Sequence, residues 1–267
     1  MPMMDNHGAA REASSMRPHL LLLGGTTEAR LVAERLAARD DLDVTLSLAG
    51  RTQSPLAMPV PVRVGGFGGA EGLEAWLREH RVAALLDATH PYAARISAHA
   101  ALAARRARVP LLCLARPAWA PEPGDDWRPV ADVAAACVAL GTAPRRVFLA
   151  LGRQEVAGFA AAPQHRYLIR SVDPITPPPP MPEVTAITAR GPFTLADEAL
   201  LLDTHRIEVI VCKNSGGTAS HAKLLAARAR GLPVLMLQRP APPEAPQVAT
   251  VAAALEWLSH ALKLRGV

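Results

Sequence analysis

A repeating rhythm constrains this chain more than any single motif: a short apolar run, a glycine-bearing turn, an amphipathic helix, and then the same again. His19–Leu23 reads His-Leu-Leu-Leu-Leu and ends in Gly24-Gly25, the pattern of a strand buried on both faces. Residues 27–39 follow as a helix with Ala29, Val32, Ala33 and Leu36 on one face. Further strands are expected at 44–48, 62–64, 82–86 and 111–114, with helices at 71–80 and 91–108. A helix over 131–140 and the turn Gly141-Thr142-Ala143-Pro144 precede a second round. That round has strands at 147–151, 167–169, 184–188, 207–212 and 234–237, and helices near 155–161, 195–205, 219–230 and 248–262. Six prolines within 174–182 require an extended loop between two of these strands. The predicted class is α/β: two Rossmann-like, doubly wound parallel-sheet domains with an active-site cleft between them. The expected division is a flexible tail at 1–17, a first domain at 18–143 and a second at 144–267.

Composition narrows the function. Half of the 267 residues are hydrophobic, enough for a sizeable core. Lys and Arg number 29 against 24 Asp and Glu, a net charge of +5, which favours anionic partners. Dense Lys/Arg runs with interleaved aromatics are missing, so nucleic acid is disfavoured. Cys113, Cys137 and Cys212 lie far apart in apolar runs; they read as reduced, buried thiols, and no metal site is expected. Residues 1–16 carry Asp5 and Glu12 and no apolar stretch, unlike a signal peptide. No apolar run approaches the ~18 residues of a membrane span. The expectation is a cytoplasmic protein with no membrane contact.

In doubly wound sheets, ligands bind beyond the carboxyl ends of the strands, which directs attention to five loops. Gly24-Gly25-Thr26-Thr27 joins the first strand to the first helix; its glycines let a phosphate approach the backbone, and either threonine can cap the helix. The pattern departs from G-x-G-x-x-G and, alone, serves the fold equally well. The second strand ends in Ala49-Gly50-Arg51-Thr52, where NAD-binding chains carry an acid for the ribose hydroxyls. Arg51 suits a 2′-phosphate instead, because a guanidinium binds phosphate bidentately; NADPH is expected over NADH. Asp87-Ala88-Thr89-His90-Pro91-Tyr92 gathers polar groups before a helix, with Pro91 suited to its first turn and Thr89 or His90 to its cap. In the second half, Arg153 with Gln154, then Arg190, then Lys213 follow strands, and three cations on one rim suit a ligand with several carboxylates. Lys213-Asn214-Ser215-Gly216-Gly217 resembles an anion cradle but not a Walker loop, since its lysine precedes the glycines.

These segments, with Glu28-Ala29-Arg30, Gly152-Arg153-Gln154 and Arg190-Gly191-Pro192-Phe193, resemble in order the precorrin-6A reductase family of cobalamin biosynthesis. The resemblance runs from about His19 to the C-terminus. It implies an NADPH-dependent oxidoreductase that converts precorrin-6A to precorrin-6B, delivering a hydride to C19 of a C18=C19 bond and a proton to its neighbour. It further implies that Gly24, Gly25, Thr26, Thr27, Gly50, Arg51, Thr52, Thr89 and His90 hold the nucleotide in the first domain. Tyr92, Arg153, Gln154, Arg190, Lys213, Asn214, Ser215 and Gly216 would face the polycarboxylate tetrapyrrole, and other enzymes of the pathway are candidate partners. His90 and Tyr92 are the nearest candidate proton donors, although solvent or the macrocycle can serve. Two alternatives stay open: another two-lobed α/β enzyme such as a nucleotide-sugar-dependent transferase, and a non-catalytic ligand-binding protein.

Overall fold

A computed structural model describes residues 17–50 and 57–264. The tail expected at 1–17 therefore lies outside the described residues except for Arg17, and Arg51 and Thr52 lie outside them altogether.

The first half runs β1 (His19–Leu23), α1 (Thr27–Leu36), β2 (Asp43–Leu48), β3 (Val62–Val64), α2 (Ala70–Glu79), β4 (Val82–Asp87), α3 (Ala94–Ala107) and β5 (Leu111–Leu114). Then come β6 (Asp126–Val130), α4 (Val133–Leu140), β7 (Arg146–Ala150), α5 (Arg153–Val156, extended by a 3₁₀ turn), β8 (Arg166–Ser171), β9 (Val184–Thr188) and α6 (Leu195–Thr204). The chain continues with β10 (Val209–Lys213), α7 (Ala222–Arg228), β11 (Pro233–Leu237), β12 (Gln247–Val248) and α8 (Val251–Leu264). Most elements fall within a few residues of expectation, as befits helix and strand ends.

Two six-stranded sheets result, ordered β12-β5-β4-β1-β2-β3 and β6-β11-β10-β7-β8-β9. Every strand pairing is parallel. The fully buried β4 sits mid-sheet, which is why it reads as an unbroken apolar run rather than an alternating one. Each sheet has cores on both faces. Leu20, Leu22 and Leu86 pack with α1 on one side of the first sheet, while Leu21, Leu23 and Leu85 pack with α2 and α3 on the other. Leu149 and Phe159 fill one side of the second sheet, and Phe148, Leu202 and Leu224 the other.

Both halves use the same strand order, except that the sixth position of each is filled from an unexpected part of the chain. In the second sheet it is taken by β6, which precedes β7 in sequence. The sequence reading missed this strand because Asp126-Trp127-Arg128-Pro129-Val130 has no apolar run, and Pro129 is tolerated only at an edge. In the first sheet it is taken by β12, which pairs with β5, and α8 lays Ala254, Leu258 and Leu262 into the same core as Leu20 and Leu22. The join expected near residue 143 is thus corrected. The first sheet owns residues up to Leu114 and again from Gln247, and the second owns Asp126 to Leu237.

Leu258 is fully buried in that core, so Leu258→Ala should cost the fold about 2–5 kcal/mol. Urea unfolding checks it; a loss below about 1 kcal/mol would mean that α8 does not close the first core.

Candidate active site between the strand ends

The strand order reverses between β1 and β4 in one sheet and between β7 and β10 in the other, the crevices where such sheets bind ligands. The carboxyl ends of the two sheets meet, so the loops leaving these crevices touch one another.

In the first sheet the turn at Gly25 has φ +115°, and the space a side chain would take there is open for 4 Å. Gly24 is closed by contrast: a Cβ would lie 2.5 Å from the Leu46 side chain. The loop is held close to the strands at one glycine and left bare at the next. Thr26 caps α1 by accepting from the Ala29 amide at 3.1 Å, and its hydroxyl donates to the Ala88 carbonyl at 2.7 Å, tying the two sides of the crevice together. Thr27 is exposed in the first turn, and Gly50 is exposed with φ +69° at the end of β2. The bare glycine and the positive end of α1 make a cradle that fits a dinucleotide pyrophosphate.

Thr89 is drawn inward rather than serving as a helix cap. Its amide and hydroxyl both donate to the buried Asp87, at 3.0 and 2.7 Å, and the hydroxyl also lies 3.3 Å from Ser97 Oγ in α3. The expectation that Pro91 opens a helix capped by Thr89 or His90 is overturned. The Ala93 amide donates to the His90 carbonyl at 2.7 Å, closing a turn around Pro91 and Tyr92, and α3 starts only at Ala94, with no side-chain cap. Proline fixes its φ as well for the second position of a turn as for a helix start.

That turn aims His90 and Tyr92 at the second sheet. The Tyr92 amide donates to His90 Nδ1 at 3.2 Å, so the ring proton sits on Nε2, which donates to Ser215 Oγ at 3.1 Å. Burial, reinforced by the charges of Arg116, Lys213 and Arg239, pushes His90 down to about 3. Burial pushes the Tyr92 phenol up to about 12; its hydroxyl donates to the Leu237 carbonyl and accepts from the Asn214 amide at 2.8 Å. Both side chains are therefore neutral hydrogen-bonding groups near pH 7, and neither carries an acidic proton in that range. Since the imidazole is depressed from its ordinary 6.5, the unfolded chain binds the extra proton first. Its stabilising contribution is present above about pH 6.5 and is lost progressively as pH falls toward 3. A His90→Gln variant should flatten the pH dependence of stability across that window, and the wild-type ring should show no titration by NMR between pH 5 and 8. A ring titrating near 6.5 would remove the claim.

In the second sheet Lys213 ends β10 and is already occupied, its ammonium 2.6 Å from Glu155 in α5 and 5.1 Å from the centre of the Tyr92 ring. The expected row of cations awaiting carboxylates is corrected to this extent. Arg153, Gln154 and Arg190 are exposed at the ends of β7 and β9. Asn214 does not face outward: its amide carbonyl accepts from the Trp119 amide at 2.8 Å while its NH₂ donates to the Trp119 carbonyl at 2.9 Å. Gly216 is buried at φ +68°, where a Cβ would stand 2.1 Å from the Pro117 carbonyl oxygen. Its glycine is a packing requirement.

Reading the sequence missed the two loops that connect the sheets. Arg116 follows β5; it donates to the Ser215 carbonyl at 2.6 Å and pairs with Glu28 at 2.8 Å. Arg239 follows β11 and donates to the Asn214, Arg116 and Pro117 carbonyls, at 2.7, 3.0 and 3.3 Å. The same strand-end rule that selected Lys213 would have found both. Cys113 and Cys212 are buried and Cys137 half-buried, all as free thiols. Among the described residues no cluster of His, Cys, Asp or Glu has metal-binding geometry, and no helix is long and apolar enough to cross a membrane.

The family described as "Precorrin-6x reductase CbiJ/CobK" matches residues 19–259. A precorrin-6A reductase from Sinorhizobium sp. is 52% identical over 95% of this chain and 97% of its own length. A cobalt-precorrin-6A reductase from Salmonella typhimurium is 28% identical over 84% of this chain and 88% of its own. Among solved structures, one titled "CobK precorrin-6A reductase" superposes with a TM-score of 0.87 at 46% identity, covering 91% of this chain and 97% of that one. The motifs that drew attention at the strand ends all lie within the matched span, and the chain belongs to the precorrin-6x reductase family.

Proposed function

We propose that this chain reduces precorrin-6A to precorrin-6B with NADPH in the cytoplasm. The nucleotide would lie along the strand ends of the first sheet, and the tetrapyrrole between the two sheets. Family membership supports a reductase over a sugar-nucleotide transferase or a non-catalytic binder. The observation that carries the cofactor reading is the open backbone at Gly25 above the N-terminus of α1. The metal-free substrate is favoured by 52% identity to a relative named for precorrin-6A against 28% to one named for the cobalt form.

When bound, NADPH supplies the hydride. The chain's own residues orient and exclude. Gly24, Gly25, Thr26 and Thr27 would hold the pyrophosphate, Gly50 with Arg51 and Thr52 the adenosine end, and Thr89 and His90 the border with the substrate. Tyr92, Arg153, Gln154, Arg190 and Lys213 would face the macrocycle, with Asn214, Ser215 and Gly216 beneath them shaping the loop. Lys213 can meet a substrate carboxylate only in competition with Glu155; Arg153 and Arg190 are exposed on the same rim, within reach of the acetate and propionate groups. His90 offers Nε2–H as a neutral donor, and Tyr92 already has its hydroxyl bonded on both sides. Solvent or the macrocycle's own nitrogens therefore supply the proton that accompanies the hydride. Positioning, rather than acid catalysis by a side chain, is what the protein contributes.

Titration with NADPH and NADH tests the reading directly, with NADPH expected to bind more tightly. Arg51→Ala should remove a charge-assisted contact worth roughly 1.5–3 kcal/mol, or about 10- to 150-fold in NADPH affinity, and leave NADH nearly unchanged. Equal losses for both nucleotides would overturn the 2′-phosphate assignment.

A further inference from the structure

Arg116 occupies an unusual place. Its guanidinium reaches one way to Glu28 in the first turn of α1 and the other way to the backbone of Ser215 in the second sheet's loop. Both side chains of the ion pair are largely shielded, Arg116 at 15% and Glu28 at 20% exposed. Gly217 leaves room for the crossing, since a Cβ there would approach Arg116 Cδ to 3.1 Å. Ser215 is thus gripped from two sides by the first sheet, its carbonyl by Arg116 and its hydroxyl by His90.

We propose that Arg116 is a positioning residue that couples the Gly25 loop to the Lys213–Gly217 loop, so that the occupancy of each is felt at the other. This rests on the reading that the first loop takes the nucleotide and the second borders the tetrapyrrole. The chemistry is a competition for one guanidinium. Glu28 alone would place a negative charge beside the helix end that receives the pyrophosphate, and Arg116 neutralises it. An arriving phosphate adds a second anion to the same neighbourhood and draws on the same cation, whose Nε holds Ser215. A change in that bond passes to Ser215 and to the His90 turn, and linkage requires the effect to run equally in the other direction. Lysine can meet Glu28 but lacks the second donor edge needed to hold Ser215 at the same time.

NADP⁺ with precorrin-6A forms a pair that cannot react, so the coupling is measurable at equilibrium. The NADP⁺ dissociation constant is determined with and without saturating precorrin-6A in the full-length wild type and in Arg116→Gln, Arg116→Lys and Glu28→Gln. The wild type should show a ratio of about 5-fold or more. In Arg116→Gln the ratio should fall to about 1 and NADP⁺ alone should bind more weakly. Arg116→Lys should recover NADP⁺ binding without recovering the ratio, a split that a merely structural role would not produce. Glu28→Gln should bind NADP⁺ at least as tightly as the wild type. An unchanged ratio in Arg116→Lys, or none in the wild type, overturns the coupling while leaving the nucleotide site standing. If instead Gly25→Val binds NADP⁺ normally, the nucleotide assignment itself fails and the coupling falls with it.

Discussion

Arg170→Leu should destabilise the protein by about 3–5 kcal/mol, the cost of stranding a buried charge. Arg170 ends on Glu198 at 2.8 Å, with side chains 8% and 0% exposed, and the second carboxylate oxygen of Glu198 has no hydrogen-bond partner among the described residues. The fully buried Lys223 lies in the same electrostatic neighbourhood, its ammonium pushed down chiefly by burial. Removing Arg170 leaves Glu198 without its hydrogen-bonded cation in a dry site. Replacing both, as Arg170→Leu with Glu198→Leu, should recover most of the loss. Urea unfolding of the three variants decides it; a single-variant cost under about 1 kcal/mol would mean that water reaches the pair. Arg170 also stacks on Phe193 at 3.7 Å. The Arg190-Gly191-Pro192-Phe193 motif therefore has a packing function: Phe193 lids the buried cation from the loop that carries Arg190 to the rim.

Gly25→Val should weaken NADPH binding by at least about 100-fold, near 2.7 kcal/mol. Two effects combine. A β-branched residue at φ +115° is a genuine backbone outlier costing about 1–3 kcal/mol, and its side chain would fill the open face that admits the phosphate. Gly231→Ala separates them, because Gly231 also has a positive φ with open space around it but lies in the turn before β11. That variant should lose stability and keep its NADPH affinity. Equal binding by Gly25→Val and wild type would move the nucleotide elsewhere.

What the sequence disclosed and what it hid follow from where each residue gets its energy. Strands β1 and β4 announce themselves because both of their faces are buried, leaving nothing but apolar side chains to read. β6 is hidden because an edge strand is half solvated and can carry Arg128 and Pro129. The destination of α8 is hidden for a different reason: an amphipathic stripe shows that a helix packs but not on which sheet. At the site, Gly25 and Thr26 were legible because turn and cap chemistry is local. The turn at Pro91 was not, since proline fits two conformations and the contact of Tyr92 with the second sheet chooses between them. Nor was the pairing of Lys213 with Glu155, two residues 58 positions apart that meet only once β7 and β10 lie side by side. Arg239 donates to backbone carbonyls, which leave no mark in a sequence, and the carboxylate that Arg116 meets, Glu28, lies 88 positions away; position at a strand end was the one local sign of either.

The chain passes from the first sheet to the second after Leu114 and returns only at Gln247. During synthesis this makes the order of completion differ from the order of translation. All six strands of the second sheet leave the ribosome as one unbroken stretch, Asp126 to Leu237, and can collapse on their own helices. The first sheet, made earlier, must wait with Leu20, Leu22 and Leu86 lacking the cover of α8. Exposed apolar surface of that kind is what makes folding intermediates prone to aggregate. The half of the molecule born first is the half that matures last, and a stalled ribosome would leave it unfinished beside a completed neighbour.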